Sequence, residues 1–210
     1  YTQAKGPETA TPVSSEAVPE LFYTLNTFKL KIVFSVTNFI QVNGEVNERI
    51  VELVSDWLRP GEQDCVLDLF CGLGNFSLAL AGNSHRVIGI EGDRTLVAQA
   101  RTNAKVNNID NVRFEVLDLY GESLADWDPE YFSRVLIDPP RSGALEALNA
   151  VSTKIKPEMI GYVSCNPATF ARDAAYLTES GEYQLDNMAV ADMFPPTSHV
   201  ETCARFIRCE

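Results

Sequence analysis

Cys65-Val66-Leu67-Asp68-Leu69-Phe70-Cys71-Gly72-Leu73-Gly74-Asn75 is the stretch that decides the fold. A short apolar run with one acid enters Gly72-x-Gly74, and Asn75 then opens a segment of helical spacing. A buried strand, a glycine turn and a helix make the first half of a βαβ unit, with the turn at the carboxyl edge of the sheet, where open α/β folds bind ligands. Reading outward, strand patterns fall at 65–69, 86–91, 112–117, 133–138 and 159–164, and helical patterns near 75–81, 93–107, 144–153 and 167–179. This alternation predicts an α/β, Rossmann-like fold: a mostly parallel sheet with helices on both faces. Residues 183–193 and 200–209 read as strands joined only by Phe194-Pro195-Pro196-Thr197-Ser198. A link that short permits only antiparallel pairing, so the sheet should end in a C-terminal antiparallel hairpin.

Upstream, Leu30, Ile32, Phe34 and Val36 alternate with their neighbours as a strand does, and residues 39–43 read as a short extended piece. Val46, Ile50, Leu53, Val54, Trp57 and Leu58 follow at helical spacing until Pro60-Gly61 ends the run. Residues 1–24, mostly Thr, Ser, Pro, Glu and Ala without sustained periodicity, read as a flexible leader or linker remnant. The expected organisation is therefore leader 1–24, a strand and helix over 25–60, and the core over 61–210.

Bulk properties narrow the function. The 210 residues suit one α/β domain, and no apolar run approaches the roughly 18 residues of a membrane span. No membrane partner is expected, and the default compartment is the cytoplasm. Cysteines at 65, 71, 165, 203 and 209 form no C-x-x-C pair, so neither a disulfide framework nor a metal site is indicated. A net charge of -12, from 17 Lys+Arg against 29 Asp+Glu, argues against this chain alone gripping a nucleic-acid backbone.

Charge also selects the cofactor. Position 77 is Ser, so the third glycine of the dinucleotide fingerprint is missing. Asp68 would repel a pyrophosphate but tolerate the ammonium and sulfonium of S-adenosylmethionine. Glu91 stands 19 residues after Gly72, near the ~20-residue offset at which an acid binds ribose hydroxyls. Asp118, just after the third strand, is placed to reach the adenine side. Each acid alone also fits a helix cap or loop brace.

Ser164-Cys165-Asn166-Pro167-Ala168-Thr169 is a strand-to-helix turn presenting a thiol. Asn166-Pro167 suits a cap and first turn, and the positive end of the helix dipole is expected to lower the Cys165 pKa. The plainer alternative is a buried cysteine acting as a small hydrophobe. At the fourth strand end, Asp138-Pro139-Pro140-Arg141 fixes an extended turn. An aromatic after the prolines would suit stacking on a flipped base for amine methylation; Arg141 stands there instead.

The chain resembles the RNA (uracil-5-)-methyltransferase family over about Leu30 to Arg208, its 23S ribosomal RNA members above all. The resemblance rests on Gln41 within Phe39-Ile40-Gln41-Val42-Asn43, the Asp68–Asn75 loop, the Asp138 turn, Ser164 to Asp173, and Asp192-Met193-Phe194-Pro195 through Glu201. It implies a class I S-adenosylmethionine-dependent methyltransferase that methylates carbon-5 of a uridine in RNA, 23S ribosomal RNA first. It further implies Cys165 as nucleophile and Glu201 as general base. Gln41, Phe70, Asn75, Glu91, Asp118 and Asp138 would surround cofactor and target base, with no metal. Larger family members carry an N-terminal RNA-binding barrel, and the ribosomal ones an iron-sulfur cluster. With no cysteine before Cys65, the expectation is the catalytic domain of a longer enzyme, a monomer, with any iron-sulfur cluster confined to a missing N-terminal part. Three readings stay open beside it: a tRNA uridine-5 methyltransferase, a cytosine-5 RNA methyltransferase, and a noncatalytic S-adenosylmethionine- or RNA-binding module.

Overall fold

The computed structural model describes residues 10, 11, 13, 20–121, 131–193 and 200–209. A hairpin comes first, β1 (Leu21–Leu25) antiparallel to β2 (Leu30–Phe34), followed by α1 (Gly44–Leu58). The alternating part is β3 (Cys65–Leu69), α2 (Asn75–Ala81), β4 (Arg86–Glu91), α3 (Arg94–Val106), β5 (Val112–Val116), β6 (Arg134–Ile137), α4 (Leu145–Ala150), β7 (Met159–Ser164) and α5 (Pro167–Glu179). It closes with β8 (Tyr183–Ala191) and β9 (Glu201–Arg208). Among the described residues seven strands form one sheet in the order β5-β4-β3-β6-β7-β9-β8, parallel from β5 to β7. β9 is antiparallel to both its neighbours, as the short link requires. The strand order turns back between β3 and β6, which places the ligand crevice of such folds above those two strands.

Alternation along each strand feeds two cores. Val66, Val87 and Val163 join α1, α2 and α3 on one face, while Leu67, Ile88 and Tyr162 join α4 and α5 on the other. Side chains at i and i+1 of a strand point oppositely, so an all-apolar strand is buried on both sides. Asn43, Asp93 and Asn166 cap α1, α3 and α5 with side-chain acceptors.

Two expectations need correction. The leader boundary at residue 24 fails at its end, because β1 occupies Leu21–Leu25. Phe22 on its outer side is exposed under the Lys31 ammonium, 4.4 Å from the ring centroid, so both sides of the strand read as apolar and the alternation is hidden. The extended geometry expected over 39–43 is found at Asn43, where it serves the cap of α1. The helix expected over 144–153 stops at Ala150 and continues as one π turn, Val151–Ile155, ended by Lys156 at φ 49. The segment joining β8 to β9, including His199, lies outside the described residues.

Side-chain amides bind the hairpin to the core. Asn103 on α3 and Asn107, the cap at its C-terminus, bond the free edge of β2: Asn103 takes Val33 N–H at 2.9 Å and Asn107 takes Lys31 N–H at 2.8 Å. Each Nδ2 donates back to the same residue's carbonyl, at 3.1 and 2.8 Å. An otherwise open strand edge is thereby satisfied.

Candidate active site

The carboxyl edge of the parallel strands opens into a cavity of about 670 Å³. All eight residues to which the resemblance gives a role line it. Phe70 and the glycine loop come from the end of β3, Glu91 from β4, Asp118 from beyond β5, Asp138 from β6 and Cys165 from β7. Glu201 arrives differently. Because β9 runs against β7, its first residue stands at the edge where β7 ends; Ser164 pairs with Thr202, and one further step sets Cys165 beside Glu201.

The glycine side is held by polar contacts. Glu91 accepts the Gly72 N–H at 3.2 Å and the Asp93 N–H at 3.0 Å, tying two successive strand ends together. Gly72 has φ 54, and a Cβ there would meet only open space, so backbone conformation and ligand approach, not packing, call for glycine. Asn75 is clamped: Tyr23 Oη donates to its Oδ1 at 2.9 Å, and Asn47 exchanges bonds with it at 3.2 and 3.0 Å. The Phe70 ring lies 5.6 Å from that of Tyr120, and Asp118 accepts the Tyr120 N–H at 3.0 Å. Gln41 Oε1 is buried with no hydrogen-bond partner. A buried acceptor left unpaired costs about 1–3 kcal/mol, which a donor on a ligand in the cavity would relieve.

The opposite side gathers acids. Burial raises Glu201 to about 7. Asp138 is held well above the usual carboxylate range by burial and by Glu201 and Asp68. Cys165 is also pushed up, by burial and by Glu201 and Asp138; Arg141 and its own backbone hydrogen bonding act the other way. This reverses the expected effect of the helix dipole. Asn166 is the cap, so Cys165 stands one residue outside the helix while two acids face it.

Asp68 also departs from expectation. It lies wholly buried beneath the glycine loop, bonded by Ser77 Oγ, with Oδ1 unpaired and its pKa raised by burial to about 7. It faces α2 rather than the cavity, as its place beside Val66 on the same sheet face dictates. Cys71 is buried at the loop with its pKa raised, first by burial and then by Asp68 and Glu91, so it is a poor thiolate. His85 is exposed on a shallow depression away from the cavity. Among the described residues no cluster of His, Cys, Asp and Glu could hold a metal, and no helix is long and apolar enough to cross a membrane.

Sequence reasoning missed Tyr23, Asn47 and Tyr120. Tyr23 fell in the supposed leader. Asn47 and Tyr120 follow no spacing rule, and only the folded chain brings them to Asn75 and Phe70.

The donor set suits S-adenosylmethionine. The cavity lies within the size range of small-molecule sites, and the carboxylates of Glu91 and Asp118 in its lining favour a cationic ligand over a pyrophosphate. A family model for tRNA (Uracil-5-)-methyltransferase matches residues 20–208. The 23S rRNA (uracil(1939)-C(5))-methyltransferase of Thiobacillus denitrificans is 46% identical over 211 residues, 99% of this chain and 48% of the relative. Its counterpart from Stenotrophomonas maltophilia is 43% identical over 207 residues, 98% and 46% of the two chains. Among solved structures, Pyrococcus abyssi tRNA (uracil-54, C5)-methyltransferase in complex with S-adenosyl-L-homocysteine overlays with a TM-score of 0.76 at 32% identity, over 90% of this chain and 44% of that one. M. jannaschii TYW2 in complex with AdoMet, with a TM-score of 0.64 at 20% identity over 90% and 87% of the two chains, shares the fold. The chain spans about half the length of the curated relatives it matches.

Proposed function

The chain belongs to the tRNA (uracil-5-)-methyltransferase family, and from that premise we propose that it transfers a methyl group from S-adenosylmethionine to carbon-5 of a uridine in 23S ribosomal RNA. The observation that carries this reading is the register of β7 and β9, which sets a half-buried thiol beside a buried carboxylate at the mouth of one acidic cavity.

Carbon-5 of uracil is a weak nucleophile. In our reading the Cys165 thiolate adds to carbon-6, the ring electrons move toward carbon-5 and the 4-carbonyl, and carbon-5 becomes an enolate carbon able to form a bond to an electrophile. Bound in the cavity, S-adenosylmethionine would supply that electrophile as a sulfonium methyl. Glu201, once unprotonated, takes the carbon-5 proton; the electrons of that C–H bond restore the 5,6 double bond and expel the Cys165 thiolate. A carboxyl poised near 7 matches neutral conditions for such a step. Gln41, Phe70, Asn75, Glu91, Asp118 and Asp138 hold cofactor and base, and Arg141 opposes the negative field around the thiol. With 29 acids against 17 bases, this chain offers little grip on phosphates, and we place the basic RNA-binding surface in the further length that the relatives possess.

The test uses full-length enzyme, S-adenosylmethionine and 5-fluorouridine-substituted RNA. Fluorine leaves no carbon-5 proton to remove, so the adduct should accumulate. Mass spectrometry should find ribosomal RNA crosslinked at Cys165, and none with Cys165→Ala. A crosslink at another cysteine, or preferential trapping on tRNA or on cytosine-5 substrates, would overturn the corresponding part of the reading.

A further inference from the structure

The turn after Asp138-Pro139-Pro140 is fastened to α5, the helix that starts beside Cys165. Asn166 Nδ2 donates to Arg141 O at 2.9 Å, and Thr169 Oγ1 donates to the same carbonyl at 3.2 Å. Arg172 Nη2 donates to Ser142 O at 3.0 Å, and Asp173 Oδ2 accepts the Ala144 N–H at 2.7 Å. Residues three or four apart share one helix face, so the whole turn lies along a single stripe of α5. Fit is tight at Gly143, whose φ is 80: a Cβ would fall 2.4 Å from Arg172 Nη2 and 2.6 Å from Asp173 Oδ2.

Asp173 is the centre of this arrangement. It is wholly buried, it pairs with Arg172 at 2.6 Å, and it accepts the Tyr162 hydroxyl at 2.5 Å. Tyr162 belongs to β7, the strand that ends at the thiol. One carboxylate thus ties together the strand leading to Cys165, the helix leaving it and the turn bearing Arg141. Cys165 is faced by Glu201 from β9, by Asp138 from the end of β6 and by Arg141 from the turn; Arg141 alone of these three favours the thiolate. Nothing in the reaction as written requires residue 173, yet it stands where these three elements meet, and Arg141 and Cys165 line the same cavity.

We propose that Asp173 is a positioning residue that locks the Arg141–Ala144 turn onto α5 and so fixes the Arg141 cation against the Cys165 thiol. The proposal rests on the reading of Cys165 as nucleophile. A purely structural carboxylate would lower the melting temperature without moving the titration of the thiol.

The experiment follows iodoacetamide alkylation of Cys165 against pH in the full-length enzyme, by mass spectrometry of the Cys165 peptide, with 5-fluorouridine RNA trapping in parallel. In Asp173→Asn the alkylation midpoint should rise by about half a pH unit or more, because a cation near a thiol lowers its pKa. Trapping at neutral pH should slow about tenfold, as small displacements of reacting groups do, with S-adenosylmethionine affinity within about twofold of the parent. Thr169→Val, which leaves the buried charge untouched, should shift the midpoint the same way by less. Adding Asp173→Asn to Arg141→Gln should shift it no further, the non-additivity expected when one residue acts through the other. An unchanged midpoint in a folded Asp173→Asn, or a shift that adds to that of Arg141→Gln, overturns the proposal. Should Asp173→Asn not fold, an unchanged midpoint in Thr169→Val overturns it alone. A shifted midpoint with no RNA trapping even in the parent supports the positioning role and sinks the uracil reading instead.

Discussion

The cavity has two halves of unlike construction. The β3–β4 half is built from local pieces: a glycine loop that leaves its strand within three residues, and an acid that bonds the loop across two adjacent parallel strands. The β7–β9 half is built from distant ones, since the thiol and the carboxylate beside it are 36 residues apart (201 − 165) and meet only because the last strand reverses direction. Affinity for a cofactor can rest on backbone geometry written into a short motif. The bond-making chemistry proposed for the thiol and the carboxylate depends on a proximity that is a property of the sheet.

Cutting each half should therefore do different things. The largest effect is expected for Cys165→Ala: turnover by the full-length enzyme should fall at least about 10⁴-fold, while S-adenosylmethionine binding by calorimetry stays near the parent value. Glu201→Gln should cost about 10²–10⁴-fold in turnover yet still form the RNA adduct, which would now accumulate on unmodified uridine and be visible as a slow-migrating complex. Loss of adduct formation in that variant would mean the two groups are not separable.

Glu201 also sharpens the comparison through pH. Unfolded, its carboxyl titrates near 4.5; folded, burial raises it to about 7. The native state therefore holds a proton that the unfolded chain has released, and this stabilisation is complete below the unfolded value and lost as pH rises through the folded one. Glu201→Gln should accordingly be more stable than the parent by about 2 kcal/mol at about pH 8 and equal to it at about pH 4, by denaturant titration. Single-turnover rate should rise through about 7 in the parent as Glu201 loses its proton, and that limb should vanish in Glu201→Gln.

On the other half the effects are smaller and confined to binding. Glu91→Gln should weaken S-adenosylmethionine about tenfold, since a charge-assisted acceptor is lost both to the ligand and to the Gly72 N–H. Tyr23→Phe, which releases one hydrogen bond on Asn75, should weaken it about fivefold with maximal turnover unchanged. If Tyr23→Phe lowered turnover at saturating cofactor, the separation of the two halves would not hold.

The difference in construction also explains what could be read from the chain. The βαβ alternation was legible because strands buried on both faces are continuous apolar runs punctuated by glycine turns and capped helices, as at Asp93 and Asn166. The short strand Leu21–Leu25 was not legible, because its outer Phe22 masks the alternation and its partner β2 is anchored on the far edge by the amides of Asn103 and Asn107, about seventy residues away. Asp68 was misread for a related reason: a strand-end acid can point to either face, and here it points into the core under α2. The upward shift of Cys165 was not legible because the helix dipole is a local effect, whereas burial, Glu201 and Asp138 come from elements elsewhere in the chain.

The sequence by itself determined the alternating strands and helices, the glycine turn, the strand-end acids and the antiparallel ending, all consequences of periodicity, backbone sterics and link length. Tertiary structure alone decided that Glu201 meets Cys165, that Tyr23 and Asn47 clamp Asn75, and that burial and two acids raise a thiol which its own helix would have lowered. Propensity acts over a few residues, while electric fields and packing act through space, between residues that the chain's order keeps apart.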